Sequence, residues 1–170
     1  CFGEINTPME RLKILYSEAK KTLSTLDIEM IDAGIVIDDP EYKTANEAIT
    51  KLQGEVMSSL VVCVAGWVPT HAVIKVTDVF RHLPMLLWGL CGWRDNNKII
   101  TTACQAGTTA LRPAFEAMDY RFKYVYNIIG KPEPVEDINS FLFACHAAAQ
   151  LRDARIGTMG YRDMLLYGTQ

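Results

Sequence analysis

The feature that most constrains the fold is an apolar run, Leu60 to Ala65, in which polar and apolar side chains do not alternate. A strand with one face in solvent alternates, whereas a strand buried on both faces is continuously apolar, and parallel sheets covered by helices provide that burial. Gly66 ends the run and is followed by Trp67 and His71. Ligands of open α/β sheets bind at the carboxyl ends of the strands, so this stretch has the form of a binding loop.

Helix-like and strand-like segments alternate along the whole chain. Apolar residues recur at helical spacing in residues 8–25, 40–56, 71–82, 99–118 and 135–154. Strand-like runs occupy residues 28–37, 59–66, 85–90, 122–126 and 155–160. This order indicates right-handed βαβ units. It predicts a doubly wound, mostly parallel α/β sheet with helices on both faces, of the flavodoxin-like or Rossmann-like type.

Local signals predict where individual elements begin and end. Thr7 is expected to cap the first helix, with Pro8 at the first helical position and Glu10 completing a capping box. Pro113 is expected to kink or split the fourth helix, because proline removes a helical hydrogen bond. The polar, glycine-bearing residues 91–98 are predicted to form a loop.

The first residues differ from those of an ordinary doubly wound domain, which begins with a strand. Only Cys1, Phe2 and Gly3 precede the signals that start the first helix, so we expect the first strand to be missing or very short. Residues 167–170 stop just after a strand and a glycine turn. We therefore expect residues 1–170 to be a single α/β domain and the N-terminal fragment of a longer chain.

Composition excludes several classes of protein. The net charge of −3 argues against nucleic-acid binding, which usually requires a basic face. No apolar run approaches the roughly 18 residues of a membrane span, and no secretory leader is visible. The five cysteines are odd in number and widely spaced, which fits neither a disulfide framework nor a zinc site. Reduced thiols in a cytoplasmic protein are the expectation.

Groups that could carry catalysis are scattered. His82 and His146 lie within helical patterns without carboxylates or cysteines at ligand spacing, so we expect them to be structural. His71 is as consistent with a site as with a structural role. Asp38 and Asp39 are predicted to be solvated loop residues. The turn at residues 157–160 lacks the spacing of a nucleotide-binding motif.

The three tryptophans differ in position. Trp88 lies within a strand and is predicted to be core, whereas Trp93 lies in a loop that an interface could cover. Trp67 follows a strand directly and is the best candidate for stacking on a ligand. Aromatic faces pack well against the C–H faces of sugars.

Three blocks of the sequence resemble the N-terminal half of the L-fucose isomerase and L-arabinose isomerase superfamily. They are residues 66–71, residues 83–90 with their Pro-x-x-x-Trp-Gly pattern, and residues 155–164 with a Gly-x-x-Met-like turn. Residues 4–8 are similar to the loop after the first strand of that family. The order and spacing of the blocks carry the resemblance, which spans most of the chain.

The resemblance implies aldose–ketose isomerisation of a small sugar, assisted by Mn²⁺, in a homo-oligomer. The family binds its metal with residues of the second half, so no catalytic residue and no metal ligand is assigned in this chain. By similarity, Trp67 lines the sugar pocket and Met164 touches the substrate. Further candidates from loop position are Glu4, Asn6, His71 and Arg162. Residues 68–71 and 161–163 depart from the fucose enzymes, which leaves the sugar open.

Two other interpretations remain open at this point. The chain is also compatible with a non-catalytic, flavodoxin-like module that binds a sugar or a partner. Binding of a nucleotide or flavin is a third interpretation, which rests on fold analogy alone.

Overall fold

A computed structural model describes residues 1–157 of the chain. Five parallel strands form the central sheet: β1 (Phe2–Gly3), β2 (Val36–Ile37), β3 (Leu60–Val64), β4 (Met85–Gly89) and β7 (Phe122–Tyr126). Their spatial order is β2-β1-β3-β4-β7. Counting these five strands along the chain gives the order 2-1-3-4-5, which is that of flavodoxin-like folds. The predicted α/β class is confirmed.

Five helices cover the two faces of this sheet. They are α1 (Met9–Leu23), α2 (Lys43–Gln53), α3 (Thr70–Thr77), α4 (Cys104–Ala117) and α5 (Val135–Asp153). A turn of 3-10 helix, Asp78–Phe80, extends α3. Helices α2, α3 and α4 pack on one face, and α1 and α5 pack on the other. Alternate residues of one strand serve the two cores, because Val62 lies in the first and Cys63 in the second.

The first strand is present but only two residues long, which confirms that part of the prediction. β1 lies between β2 and β3, with Phe2 paired to both Val36 and Val64. The predicted cap of α1 is wrong. The helix begins at Met9, Pro8 occupies the cap position, and no side chain caps it.

The strand predicted over residues 28–37 is reduced to its last two residues. Residues 28–35, which precede β2, form no strand and are held by side-chain contacts. The Asp32 carboxylate accepts a hydrogen bond of 2.8 Å from the Gly34 amide, and Lys20 lies 2.7 Å from the same carboxylate. Gly34 has a φ of +84°, a conformation that glycine adopts easily and that turns the chain before β2.

The region after β4 also differs from the prediction. The predicted loop over residues 91–98 and the predicted helix start at residue 99 are both wrong. Instead β5 (Trp93–Asp95) and β6 (Lys98–Ile100) form an antiparallel hairpin, and α4 starts only at Cys104. Pro113 does not split α4. Leu111 and Phe115 on either side of it are fully buried, and such tertiary packing is the main source of helix stability in proteins.

The last predicted strand is not formed where the chain is described, because residues 154–157 follow α5 without strand structure. The rest of that prediction, residues 158–160, lies outside the described residues. Within residues 1–157, no helix has both the length and the apolar character needed to cross a membrane.

Candidate functional site

The strand order reverses between β1 and β3, and in open α/β sheets such a reversal forms a crevice at the carboxyl edge. β1 continues into α1 on one face, whereas β3 continues into α3 on the other, so the two loops diverge. The strands themselves stay paired, since the Ala65 amide donates a 2.8 Å hydrogen bond to the Phe2 carbonyl. Such switch points are where open α/β sheets bind their ligands. Residues 4–7 and 66–71 form the two sides.

Trp67 lies on the β3 side of this crevice with a fixed main chain and a half-exposed side chain. Its amide donates a 2.7 Å hydrogen bond to the Thr102 carbonyl. The Thr102 hydroxyl in turn donates to the Ala65 carbonyl. The side chain of Trp67 is 47% exposed. An aromatic ring that is exposed on an immobilised loop is suited to stacking, because little conformational freedom is lost on binding.

Helix α4 packs closely against the main chain of the loop that carries Trp67. A Cβ atom added to Gly107 would lie 2.7 Å from the Gly66 carbonyl oxygen and 3.3 Å from the Trp67 Cα. Both neighbours are main-chain atoms, so only glycine lets the helix come this near. The sequence alone did not indicate Gly107.

Glu4 and Asn6 lie on the β1 side of the crevice. The Asn6 amide group donates to a Glu4 carboxylate oxygen at 3.3 Å. The loop is held by two further bonds: the Thr7 amide donates to the Glu4 carbonyl at 3.0 Å, and the Ile5 amide donates to the Asp38 carboxylate at 2.6 Å. The structure therefore places a carboxylate and an amide, both able to bind hydroxyl groups, on the loop after β1.

Asp38 and Asp39 are partly exposed loop residues, and both also accept structural hydrogen bonds. Asp38 ties the loop after β2 to the loop after β1 through the Ile5 amide. Asp39 accepts hydrogen bonds from the Lys43 amide at 2.8 Å and from the Thr44 hydroxyl at 3.0 Å at the start of α2. The bond from the Lys43 amide is the main cause that lowers the pKa of Asp39. Asp39 thus holds the first residues of α2, although it lies three residues before the N-cap position, Tyr42.

His71 lies in the first turn of α3 and is exposed. Its ring packs edge-on against Tyr42 at the start of α2, with ring centroids 6.0 Å apart and planes at 86°. Within residues 1–157, the His71 side chain makes no hydrogen bond to a carboxylate that would orient it as a base. The geometry therefore supports a contact role for His71 more than a catalytic one.

Beyond β7, a polar cluster around the buried Trp88 and Asn127 anchors the adjoining loop. The Trp88 indole donates to the Asn127 side-chain oxygen at 2.8 Å, which confirms Trp88 as core. The Asn127 carbonyl accepts from the Gln105 side chain at 2.7 Å. Glu133 accepts from Asn127 at 3.4 Å and from the Thr22 hydroxyl. Asn127, a polar residue directly after β7, is the only part of this cluster that a local sequence signal could have indicated.

The thiols offer no activated nucleophile in this part of the molecule. All five cysteines are free. Burial raises the pKa of the Cys63 thiol to about 12. The Cys63 sulfur lies 3.4 Å from the Cys1 sulfur, but the two form no disulfide. Burial is also the main cause that raises the pKa values of Cys91 and Cys104. A thiol must ionise to act as a nucleophile or metal ligand, so these residues are suited to packing.

The residues of 1–157 do not fit Mn²⁺. No group of three histidine, cysteine or carboxylate side chains in that range is arranged to hold a metal ion. Met164 and Arg162, predicted from the resemblance to contact the substrate, lie outside the described residues. Of the six predicted site residues, the structure places Glu4 and Asn6 on one side of the crevice, and Trp67 and His71 on the other.

Comparison of the chain with protein-family models, with curated proteins and with solved structures gave no match. The resemblance to sugar isomerases therefore rests on the sequence blocks alone.

Proposed function

We propose that the crevice between the β1 and β3 loops binds a small sugar, with Trp67 as the stacking surface. In the same proposal, the chain supplies recognition loops and self-association contacts to a Mn²⁺-dependent aldose–ketose isomerase of the fucose/arabinose type. The supporting observation is the half-exposed indole on an immobilised loop at the switch point of the sheet.

Each group in the crevice has a part in holding a sugar. The Trp67 ring would cover the C–H face of the sugar, which is apolar. The Glu4 carboxylate accepts hydrogen bonds from hydroxyl groups, and the Asn6 amide both donates and accepts them. The Asn6 amide already donates to the Glu4 carboxylate at 3.3 Å, so the two groups lie side by side. His71, exposed beside Tyr42, would contact the sugar or its substituents from the α3 side.

The isomerase part of the proposal draws on the sequence blocks. Because the described residues do not fit Mn²⁺, no catalytic step is derived from them. We place the protein in the cytoplasm, where the free thiols of residues 1–157 stay reduced.

Isothermal titration with a panel of aldoses tests the binding part. Trp67→Ala should weaken binding about 2- to 13-fold, because an aromatic contact contributes roughly 0.5–1.5 kcal/mol. Trp67→Phe should retain most of the affinity, since it keeps a flat apolar face. Ile99→Ala is the matched control, because Ile99 is also exposed, at 56%, but lies in the hairpin. Equal affinities for all four proteins would remove Trp67 from the site.

A conversion assay tests the isomerase part separately. Native protein that contains this chain, supplied with Mn²⁺, should convert at least one aldose to its ketose. Trp67→Ala should then raise KM more than it lowers kcat, because the ring is placed to bind and not to react. Sugar binding without any conversion would contradict the isomerase assignment and would favour the non-catalytic sugar-binding module.

A further inference from the structure

Two thiols face each other where β1 pairs with β3. The Cys1 sulfur lies 3.4 Å from the Cys63 sulfur. Phe2 pairs with Val64 in the parallel register, and each cysteine directly precedes one of these two residues. Cys1 and Cys63 are therefore neighbours on adjacent chain segments, and both pack on the α1/α5 face of the sheet. Of the cysteine pairs in residues 1–157, this one alone is in hydrogen-bond contact.

The backbone positions of this pair permit a disulfide. Adjacent strands of a sheet lie about 4.8 Å apart, and disulfides span Cα–Cα distances of about 4.4–6.8 Å. The two strands can therefore stay paired when the bond forms. The sulfurs have to close from 3.4 Å to about 2.05 Å, a movement that rotation of the two side chains can supply.

A cleft gives small molecules access to the two thiols. Cys1 and Cys63 both line a cleft of about 810 Å³, which lies between α1, α5 and the segments that precede β2 and β3. Cys1 is partly buried, whereas Cys63 is only 6% exposed. A reagent that enters the cleft therefore meets the Cys1 sulfur first.

We propose that Cys1 and Cys63 form a reversible disulfide when a hydroperoxide oxidises the protein. In the first step the Cys1 thiolate attacks an oxygen of the hydroperoxide and the O–O bond breaks. Cys1 becomes a sulfenic acid, and the hydroperoxide becomes an alcohol, or water in the case of hydrogen peroxide. In the second step the Cys63 sulfur attacks the Cys1 sulfur, the S–O bond breaks, and water leaves with the Cys63 proton. The hydroperoxide takes up the two electrons and two protons that the thiols lose.

Burial makes the second step the slower one. It raises the pKa of the Cys63 thiol to about 12, so little of this thiol is ionised at neutral pH and its attack on the sulfenic acid is slow. The Cys1 sulfenic acid therefore lasts long enough for dimedone to trap it. Disulfides of reducing compartments are usually transient and redox-sensing, which agrees with a pair that stays reduced until a peroxide is present.

The disulfide ties together the two strands that flank the switch point. β1 is two residues long and shares a single register pair with β3. The bond closes the loop from residue 1 to residue 63 and restricts the unfolded chain, so Tm should rise by roughly 4–16 °C. An oxidised protein with a Tm no higher than that of the reduced protein would contradict a bond that leaves the strands in place. The proposal is independent of sugar binding, because each cysteine lies three residues before its crevice loop.

Oxidation of the folded chain by hydrogen peroxide, read by mass spectrometry of a non-reduced tryptic digest, tests the proposal. The peptide that ends at Arg11 should be joined to peptide 52–75, and dithiothreitol should separate the two. Cys1→Ser should abolish the joined peptides. Cys145→Ser, which removes a buried thiol of α5, is the matched control and should retain them. Folded parent protein whose thiols all stay free, or whose Cys1 is oxidised without becoming linked to Cys63, would overturn the proposal.

Oxidation in urea separates the geometry of the fold from chance encounters of the thiols. Cys1 and Cys63 are 62 positions apart, whereas Cys91 and Cys104 are 13 apart. Loop closure in the unfolded chain should therefore favour the Cys91–Cys104 disulfide by a factor on the order of ten. The folded chain should show the opposite preference, and the same preference in both states would refute the proposal.

Cys63→Ser tests the order of the two steps. Without the second thiol, the Cys1 sulfenic acid cannot be resolved, so dimedone should label Cys1 more in this variant than in the parent. Equal labelling of Cys1 in the two proteins would contradict the attack of Cys63 on Cys1. The Cys1→Ser digest gives an independent result, since Cys1 is only partly buried and its loss perturbs packing less.

Discussion

Gly107→Ala is the substitution that connects the packing of α4 most directly to the proposed sugar site. The new methyl group would lie 2.7 Å from the Gly66 carbonyl oxygen and 3.3 Å from both the Trp67 Cα and the Val68 nitrogen. All three are main-chain atoms, so no side-chain rotation can relieve the contact. The helix and the Trp67 loop must separate by about 0.7 Å to restore an ordinary 3.4 Å contact.

Two opposing terms set the size of the effect. Overpacking in a well-packed region costs about 1–3 kcal/mol. Replacing glycine by alanine in a helix recovers about 0.4–1 kcal/mol through the unfolded chain. The difference between the two ranges is a net loss of about 0–2.6 kcal/mol, and its midpoint of about 1.3 kcal/mol would lower the Tm of a chain of this size by roughly 3–5 °C. Sugar affinity should fall as well, because the loop that carries Trp67 is displaced.

Gly54→Ala is the matched control for this experiment. Gly54 ends α2 with a helical φ of −86°, and an added Cβ would meet no atom within 4 Å. That variant should match or exceed the stability of the parent and bind sugar equally well. Thermal unfolding followed by circular dichroism, together with calorimetric titration of sugar, measures both quantities. A Gly107→Ala protein that is as stable and as tightly binding as Gly54→Ala would refute the close-approach reasoning.

Two further predictions concern stability away from the site. Asn127→Ala leaves the buried Trp88 indole without its 2.8 Å acceptor, so the urea midpoint should fall by the equivalent of about 1–3 kcal/mol with an unchanged m value; an unaltered midpoint would show that the bond contributes nothing. Burial opposes ionisation of Asp32, but hydrogen bonds from Lys20, Tyr16 and the Gly34 amide lower its pKa from 3.8 to about 2. Stability from this carboxylate, of order 1–2 kcal/mol after allowance for its partial exposure, is present above about pH 4 and is lost between pH 4 and pH 2. Urea titrations at pH 5 and pH 2.5 should show a smaller acid loss in Asp32→Asn than in the parent, and equal losses would exclude this role.

The sheet could be predicted from the sequence because its central strands are buried on both faces. A short, continuous apolar run such as Leu60–Ala65 indicates a strand covered by helices on both sides, and the glycine after this run correctly located Trp67 at the carboxyl edge. Residues 28–35 have the composition of a strand but do not form one. The Asp32 carboxylate accepts from the Gly34 amide and pairs with Lys20 of α1, and a contact with another element does not show in a local pattern.

The sequence could predict only which candidate residues directly follow a strand, and not which residues contact one another across elements. The His71–Tyr42 contact joins residues from different helices, and the Gly107–Gly66 approach joins residues 41 positions apart. Both depend on how α2, α3 and α4 pack on one face of the sheet. No periodicity within a single segment could indicate them.

The most direct test of sugar binding at the switch point is a ¹H–¹⁵N NMR titration of the chain with the aldose panel. The proposal predicts that one sugar shifts the amide resonances of residues 4–7 and 66–71 and the Trp67 indole, with a single dissociation constant for all of them. Resonances of residues 146–153, in the last turns of α5 at the opposite edge of the sheet, should not move. Shifts confined to residues 146–153, or no saturable shifts with any sugar of the panel, would contradict the central claim.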